Sequence, residues 1–225
     1  QTEALRAQER STLYETFHIP KKSGGLRRID APKPELMNAL RNLKTIFEED
    51  FHALYHTSAF AYVKNRCTVD AVKRHQKNNS KWFGKLDLHD FFGSTTLDYV
   101  IKMLSMVFPF SEIVKFPNGE AELRKALDLA FLNGGLPQGT PLSPLITNVM
   151  MIPFDHCITR KLCYGYKAKD GIDREFTFTR YADDILISCY HHFDPMEIQQ
   201  IIIDALNFFH APFTLNETKT HYGNR

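Results

Sequence analysis

Two adjacent carboxylates, Asp183 and Asp184, sit inside an apolar stretch, with Phe178 before them and Ile185 and Ile187 after. Acids in such surroundings are costly unless they are paired, hydrogen-bonded or bound to a cation. A third acid, Asp87, ends another apolar pattern in KLDLHDFF, residues 85–92. If the two segments are neighbouring strands, three carboxylates converge. That donor set of hard oxygens suits two magnesium ions, which complete their shells with water and substrate phosphates, and its chemistry would be phosphoryl transfer. The alternative is structural: Asp favours turns, where it bonds its own backbone, and an Asp-Asp pair at a hairpin tip is common.

Strand and helix patterns say what must position these acids. FTFTRYADDILIS, residues 176–188, alternates as a hairpin does, with Ala182, Asp183 and Asp184 near its turn, and KWFGKLDLHDFF reads as a strand ending in a turn. FHIPKKSGGLRRIDAP predicts two short strands around a Ser-Gly-Gly turn, and residues 1–13 a polar helix. Leu36, Leu40, Leu43 and Phe47 predict a helix from Pro34 to about Tyr55. Further helices are expected near 68–77, 95–107 and 120–132, from about Pro144 to Cys163, and over 195–210. Strands and helices mix without strict βα alternation, so the fold class is α+β.

Composition sets the frame. The 225 residues are 43% hydrophobic and 24% charged, enough for a sizeable core. Cys67, Cys157, Cys163 and Cys189 show no spacing for zinc or a disulfide framework, which suits a reducing cytoplasmic setting. No apolar run reaches the ~20 residues of a membrane span. The net charge of +2 is uninformative, but KKSGGLRR (21–28) and the cations between Lys64 and Lys85 make the first eighty-five residues the electropositive part.

Several segments in order resemble bacterial reverse transcriptases of the retron and group II intron type. IPKKSGGLRRIDAP is similar to the family's first fingers motif, and AYVKNRCTVDAV and KLDLHDFF follow. GLPQGTPLSPLITNVM, from Gly135 to Met150, is long and close to the family pattern; RYADD is the polymerase signature, and LNETKT (215–220) resembles the last palm motif. The resemblance implies a right-hand polymerase fold, with fingers plus a palm whose antiparallel sheet packs on helices. The expected division is fingers over 1–84, palm over 85–108, a return to the fingers over 109–138 and palm over 139–225. A thumb would follow the last palm motif, but the chain ends at THYGNR, so fingers and palm without a thumb are expected, with weak duplex binding.

The resemblance also implies roles. Asp87, Asp183 and Asp184 would bind two Mg2+ ions, with Mn2+ as a substitute and the Leu88 carbonyl as a further ligand. Lys21 and Arg27 would close over the incoming triphosphate, Arg as a bidentate donor and Lys as a point charge. Phe92 would exclude a 2′-hydroxyl, although a core role competes with that reading. Gln138 would lie beside the nucleotide and template, Arg180 and Tyr181 would help place the primer end, with packing in the hairpin an equal account of Tyr181, and Lys219 would protonate departing pyrophosphate. The expected partners are an RNA template with a DNA or RNA primer, and dNTPs.

Subtype is left open by two departures. Where a retron would show Asn-Ala-x-x-His, this chain has Asp70-Ala71-Val72-Lys73-Arg74-His75; where intron proteins more often carry PQGG, it has PQGT. Retron DNA synthesis, intron mobility and antiviral defence all use such cores. An RNA-binding maturase or scaffold without catalysis, and a template-independent polymerase of the phage-defence type, are the competing functions.

Overall fold

The computed structural model describes residues 2–21, 24–50, 55–168 and 170–224. The expected polar helix at the start is divided into α1 (Thr2–Arg6) and a 3-10 turn, Arg10–Leu13. Strands β1 (Tyr14–Pro20) and β2 (Leu26–Pro32) pair antiparallel from Tyr14↔Pro32 to Pro20↔Leu26. Of their Ser-Gly-Gly turn, Ser23 lies outside the described residues; Gly24 and Gly25 have φ of 87° and 79°, a region open to residues without Cβ. Helix α2 (Pro34–Thr45) passes into a π-helical turn, Ile46–Asp50, and the rest of its expected span to Tyr55 includes residues 51–54, outside the description.

Then come α3 (Thr68–Lys77), β3 (Trp82–Asp87), α4 (Phe91–Ser94), α5 (Leu97–Leu104), α6 (Phe110–Ile113) and α7 (Gly119–Asp128). The single helix expected from Pro144 to Cys163 is broken into α8 (Ser143–Met150), α9 (Ile152–Ile158) and a π-helical turn, Thr159–Tyr164. Pro153 accounts for the break between α8 and α9: without an N–H and with its ring against the preceding turn, it starts a helix rather than continuing one. The chain closes with β4 (Thr177–Tyr181), β5 (Asp184–Cys189), α10 (Pro195–Phe208), a 3-10 turn at Glu217–Lys219 and β6 (His221–Asn224). Asp194 caps α10, accepting the Met196 N–H at 2.9 Å. None of the described helices is long and apolar enough to cross a membrane.

The chain forms two compact units, each assembled from two stretches of sequence. The first comprises Gln1–Leu54 and Phe92–Met150. Its core includes Leu36, Leu40, Val100, Leu104 and Leu127, and Phe47 stacks on Phe110 with ring centroids 5.0 Å apart. The β1–β2 hairpin is tied to the loop before α8 by the Asp30 N–H, which donates to the Gln138 carbonyl at 2.8 Å.

The second unit comprises Tyr55–Phe91 and Met151–Arg225 and holds a four-stranded antiparallel sheet in the order β4-β5-β3-β6. Strand pleating divides its side chains between two faces. Helix α3 lies on the face of Thr179 and Ser188, where His75 reaches both hydroxyls. Helix α9 lies on the other, where Asp155 meets Arg180.

Candidate active site at the carboxylate turn

Register brings the acids together. Asp87, the last residue of β3, is the Cα partner of Asp184, the first of β5, and Asp184 is also the partner of Tyr181 at the end of β4. Ala182 and Asp183 form the intervening two-residue turn, and the Asp183 carbonyl accepts the Leu88 N–H at 3.0 Å. Ala182 has φ of 56° and is buried, a conformation that a residue with a Cβ adopts at a cost.

The carboxylates differ in their surroundings. Asp87 is buried, and its oxygens accept the Lys219 ammonium at 3.1 Å each and the Asn216 side-chain amide at 3.2 Å. Its carbonyl accepts the Asn216 N–H at 2.8 Å, so the segment after α10 is laced to the end of β3. Asp184 pairs with Lys85 at 2.9 Å, across a strand pair in which both side chains are about half exposed. Burial holds the Asp183 carboxyl above its ordinary range, and the charges of Asp87 and Asp184 push the same way against its own backbone hydrogen bond and Lys219.

In donor type, three hard-oxygen carboxylates that repel one another fit a divalent cation. Among the described residues, however, no three His, Cys, Asp or Glu side chains stand together as a ligand set. Two of the acids are instead turned onto Lys219 and Lys85. Leu88 is buried, with its N–H on the Asp183 carbonyl and an isolated bridge to Leu215.

Arg180 is placed differently from the expected primer contact. Its guanidinium is fully buried, donating from Nε and Nη2 to the two Asp155 oxygens at 2.8 Å each, and from Nη1 to the Ala182 carbonyl at 3.1 Å. A side chain enclosed in this way does not face a substrate. Tyr181 is 40% exposed on the face of Asp184.

The remaining expected residues belong to the first unit. Lys21 and Arg27 are exposed on the β1–β2 hairpin, where the Lys21 N–H donates to the Gly25 carbonyl at 3.0 Å. Phe92 is half-buried in α4, and its carbonyl accepts the Leu136 N–H at 2.9 Å. Gly93 and Gly135 pass so closely that a Cβ on Gly135 would fall 2.1 Å from the Gly93 carbonyl oxygen. At Gly139, with φ of 119°, a Cβ would lie 2.8 Å from Ile29 Cγ2 and 3.0 Å from the Asp30 carbonyl oxygen. Half-buried Gln138 is thus held between two glycine approaches.

Sequence reading missed Asp155, Asn216 and Lys85. A signal existed for Asp155, a lone acid among Met151, Phe154 and Ile158, and for Lys85, two residues from Asp87 on a strand and so on its face. Asn216 lies inside a motif read only for its lysine.

Comparison with known proteins places this geometry in context. The profile of the family described as reverse transcriptase (RNA-dependent DNA polymerase) matches residues 19–224. The retron Ec73 reverse transcriptase of Escherichia coli is 30% identical over 195 residues, covering 83% of this chain and 56% of that protein. The retron Ec83 reverse transcriptase, also of Escherichia coli, is 28% identical over 225 residues, covering 96% and 65%. The chain thus spans between half and two-thirds of the length of these two relatives. Among solved structures, a Candida tropicalis telomerase truncated from its C-terminal domain superposes with a TM-score of 0.59 at 13% identity, covering 100% of this chain and 53% of that one. The fold is therefore α+β of the right-hand polymerase type.

Proposed function

The chain belongs to the reverse transcriptase family, and on that premise we propose that it is the fingers-and-palm part of a retron-type enzyme that adds dNTPs to a primer 3′-hydroxyl on an RNA template. The observation that carries this reading is the antiparallel register that sets Asp87 against Asp184 beside the Asp183 turn. The unit with the four-stranded sheet is read as the palm.

Asp87, Asp183 and Asp184 would hold two divalent ions, Mg2+ or Mn2+, with the Leu88 carbonyl as a further donor. When bound, such ions supply a lowered pKa at the attacking hydroxyl and charge neutralisation at the triphosphate. The chain's own residues do the rest. Asn216 orients Asp87 through both its backbone and its amide, and Lys219 supplies an exposed cation beside Asp87 for the charge that develops on the leaving group. Tyr181, exposed on the face of Asp184, packs against the primer end. In the other unit, Lys21 and Arg27 are assigned to the triphosphate, Phe92 to exclusion of the 2′-hydroxyl and Gln138 to the template–nucleotide pair, on the motif resemblance alone.

The test is incorporation of labelled dNTPs and rNTPs on poly(rA)/oligo(dT) with Mg2+, by the chain and its Asp183→Asn variant. Template-dependent incorporation of dNTPs that Asp183→Asn abolishes is the expected result. Incorporation without template would move the reading to a template-independent polymerase. Tight RNA binding without incorporation would move it to a scaffold.

A further inference from the structure

We infer that Asp155 is a positioning residue: with Arg180 it forms a buried clamp that fixes the turn carrying Asp183 and Asp184. The inference rests on the polymerase reading for what those acids do, but its geometry is independent of it. Arg180 and Asp155 meet fork to fork, and both side chains are 0% exposed. Two parallel N–H···O bonds fix the rotation of the guanidinium as well as its distance. With that rotation fixed, Nη1 holds the Ala182 carbonyl at 3.1 Å, one residue before Asp183.

The turn has a reason to need holding, because Ala182 sits at φ of 56° without the freedom of glycine. The Arg180 backbone is gripped as well. Its N–H donates to the Ser58 carbonyl at 2.7 Å, and its carbonyl accepts the Phe60 N–H at 2.9 Å. Arg66 in turn fastens that neighbouring segment, donating to the His56 and Ala59 carbonyls at 2.8 and 2.7 Å. A buried ion pair contributes little net stability compared with apolar residues of the same volume. What it supplies here is a set direction for the third N–H, which apolar packing would not.

Asp155→Asn keeps the shape but removes the charge and one acceptor oxygen, whereas Arg180→Lys keeps the charge but loses the fork. Both are compared with wild type and with Leu206→Ala, a buried α10 substitution, at a temperature where circular dichroism shows every variant folded. Two quantities are read: kcat and KM for single dNTP incorporation, and Mn2+ affinity by electron paramagnetic resonance. Both clamp variants are expected to lose about 100-fold in kcat with little change in dNTP KM, and to bind Mn2+ about tenfold more weakly. Leu206→Ala keeps both values even though it melts earlier.

Clamp variants that retain wild-type kcat and Mn2+ affinity overturn the inference, as does a Leu206→Ala that loses them equally. If wild type incorporates nothing and only the clamp variants lose Mn2+ affinity, the polymerase reading falls and the clamp stands. Should one clamp variant fail to fold, the other decides.

Discussion

At the scale of single residues, exposure separates chemistry from stability. The Lys219 side chain is 58% exposed, so its ion pair with Asp87 contributes no more than about 1 kcal/mol to folding. On the proposed mechanism its ammonium matters for proton delivery, where a positioned acid is worth about 10²-fold or more in rate. Lys219→Met should therefore leave the melting temperature almost unchanged while kcat for dNTP incorporation falls about 100-fold. An unchanged kcat would remove Lys219 from the proton step. The legibility of the site in the sequence follows the same division. Asp87, Asp183 and Asp184 could be found because an acid in an apolar strand is a local anomaly. The burial of Arg180 was not legible, because β4 is buried on both faces up to Tyr181, so burial alone gives no clue to which way a side chain points. Pleating did hold the answer: Tyr181 shares a face with Asp184, and Arg180, one residue earlier, must point the other way. Its partner lies 25 residues upstream on another element, a distance that no local pattern spans.

At the scale of elements, two connections can be tested. Helix α3 is pinned to the sheet through His75, whose ring nitrogens meet Ser188 Oγ at 2.5 Å and Thr179 Oγ1 at 2.8 Å, while Ser188 Oγ donates to Ser80 Oγ at 2.7 Å. Burial, helped by Arg74, lowers the His75 pKa from 6.5 to about 4. The unfolded chain therefore binds more protons than the folded one between those values, and stability is lost as pH falls from 6.5 towards 4. The loss attributable to this histidine is on the order of 3 kcal/mol. His75→Gln should flatten the slope of unfolding free energy against pH in that window, measured by urea titration at several pH values; an unchanged slope would mean that His75 titrates freely. The second connection is the approach of Gly139 to β2. A methyl group there would meet Ile29 and the Asp30 carbonyl in a backbone conformation that disfavours it. Gly139→Ala should cost about 1–3 kcal/mol in the same titration, and a neutral result would show that the hairpin and loop are not tied as described. Elements with strong caps or alternation, such as α10 with Asp194 and Pro195 or the β4–β5 hairpin, could be read in advance. Strand β6 could not, since HYGN carries no alternation and becomes a strand through pairing with β3 and the Tyr222 hydroxyl bond to the Phe193 carbonyl.

At the scale of the whole molecule, connectivity decides what can fold alone. The chain passes between its two compact units after residues 54, 91 and 150, so neither unit is a continuous stretch of sequence. Strand β3 shows the consequence most clearly, since it lies between β5 and β6, both of which come from the last fifty residues. A fragment of residues 1–91 would contain β3 with both edges bare, and α3 without the Thr179 and Ser188 hydroxyls that receive His75. A fragment of residues 92–225 would contain β5 and β6 without the strand that joins them, and would leave the Asp183–Asp184 turn without Asp87. A short, unpaired strand does not recover the entropy of ordering it, and a sheet split at its centre loses its ladder hydrogen bonds and the apolar face they support. Each fragment expressed alone is therefore expected to give no cooperative thermal transition and no slowly exchanging amides over β3 or β5. The intact chain is expected to protect those same amides. A cooperative melt from residues 1–91 by themselves would mean that the contacts from the later segments are dispensable, and that the register placing Asp87 against Asp184 is not what organises this unit.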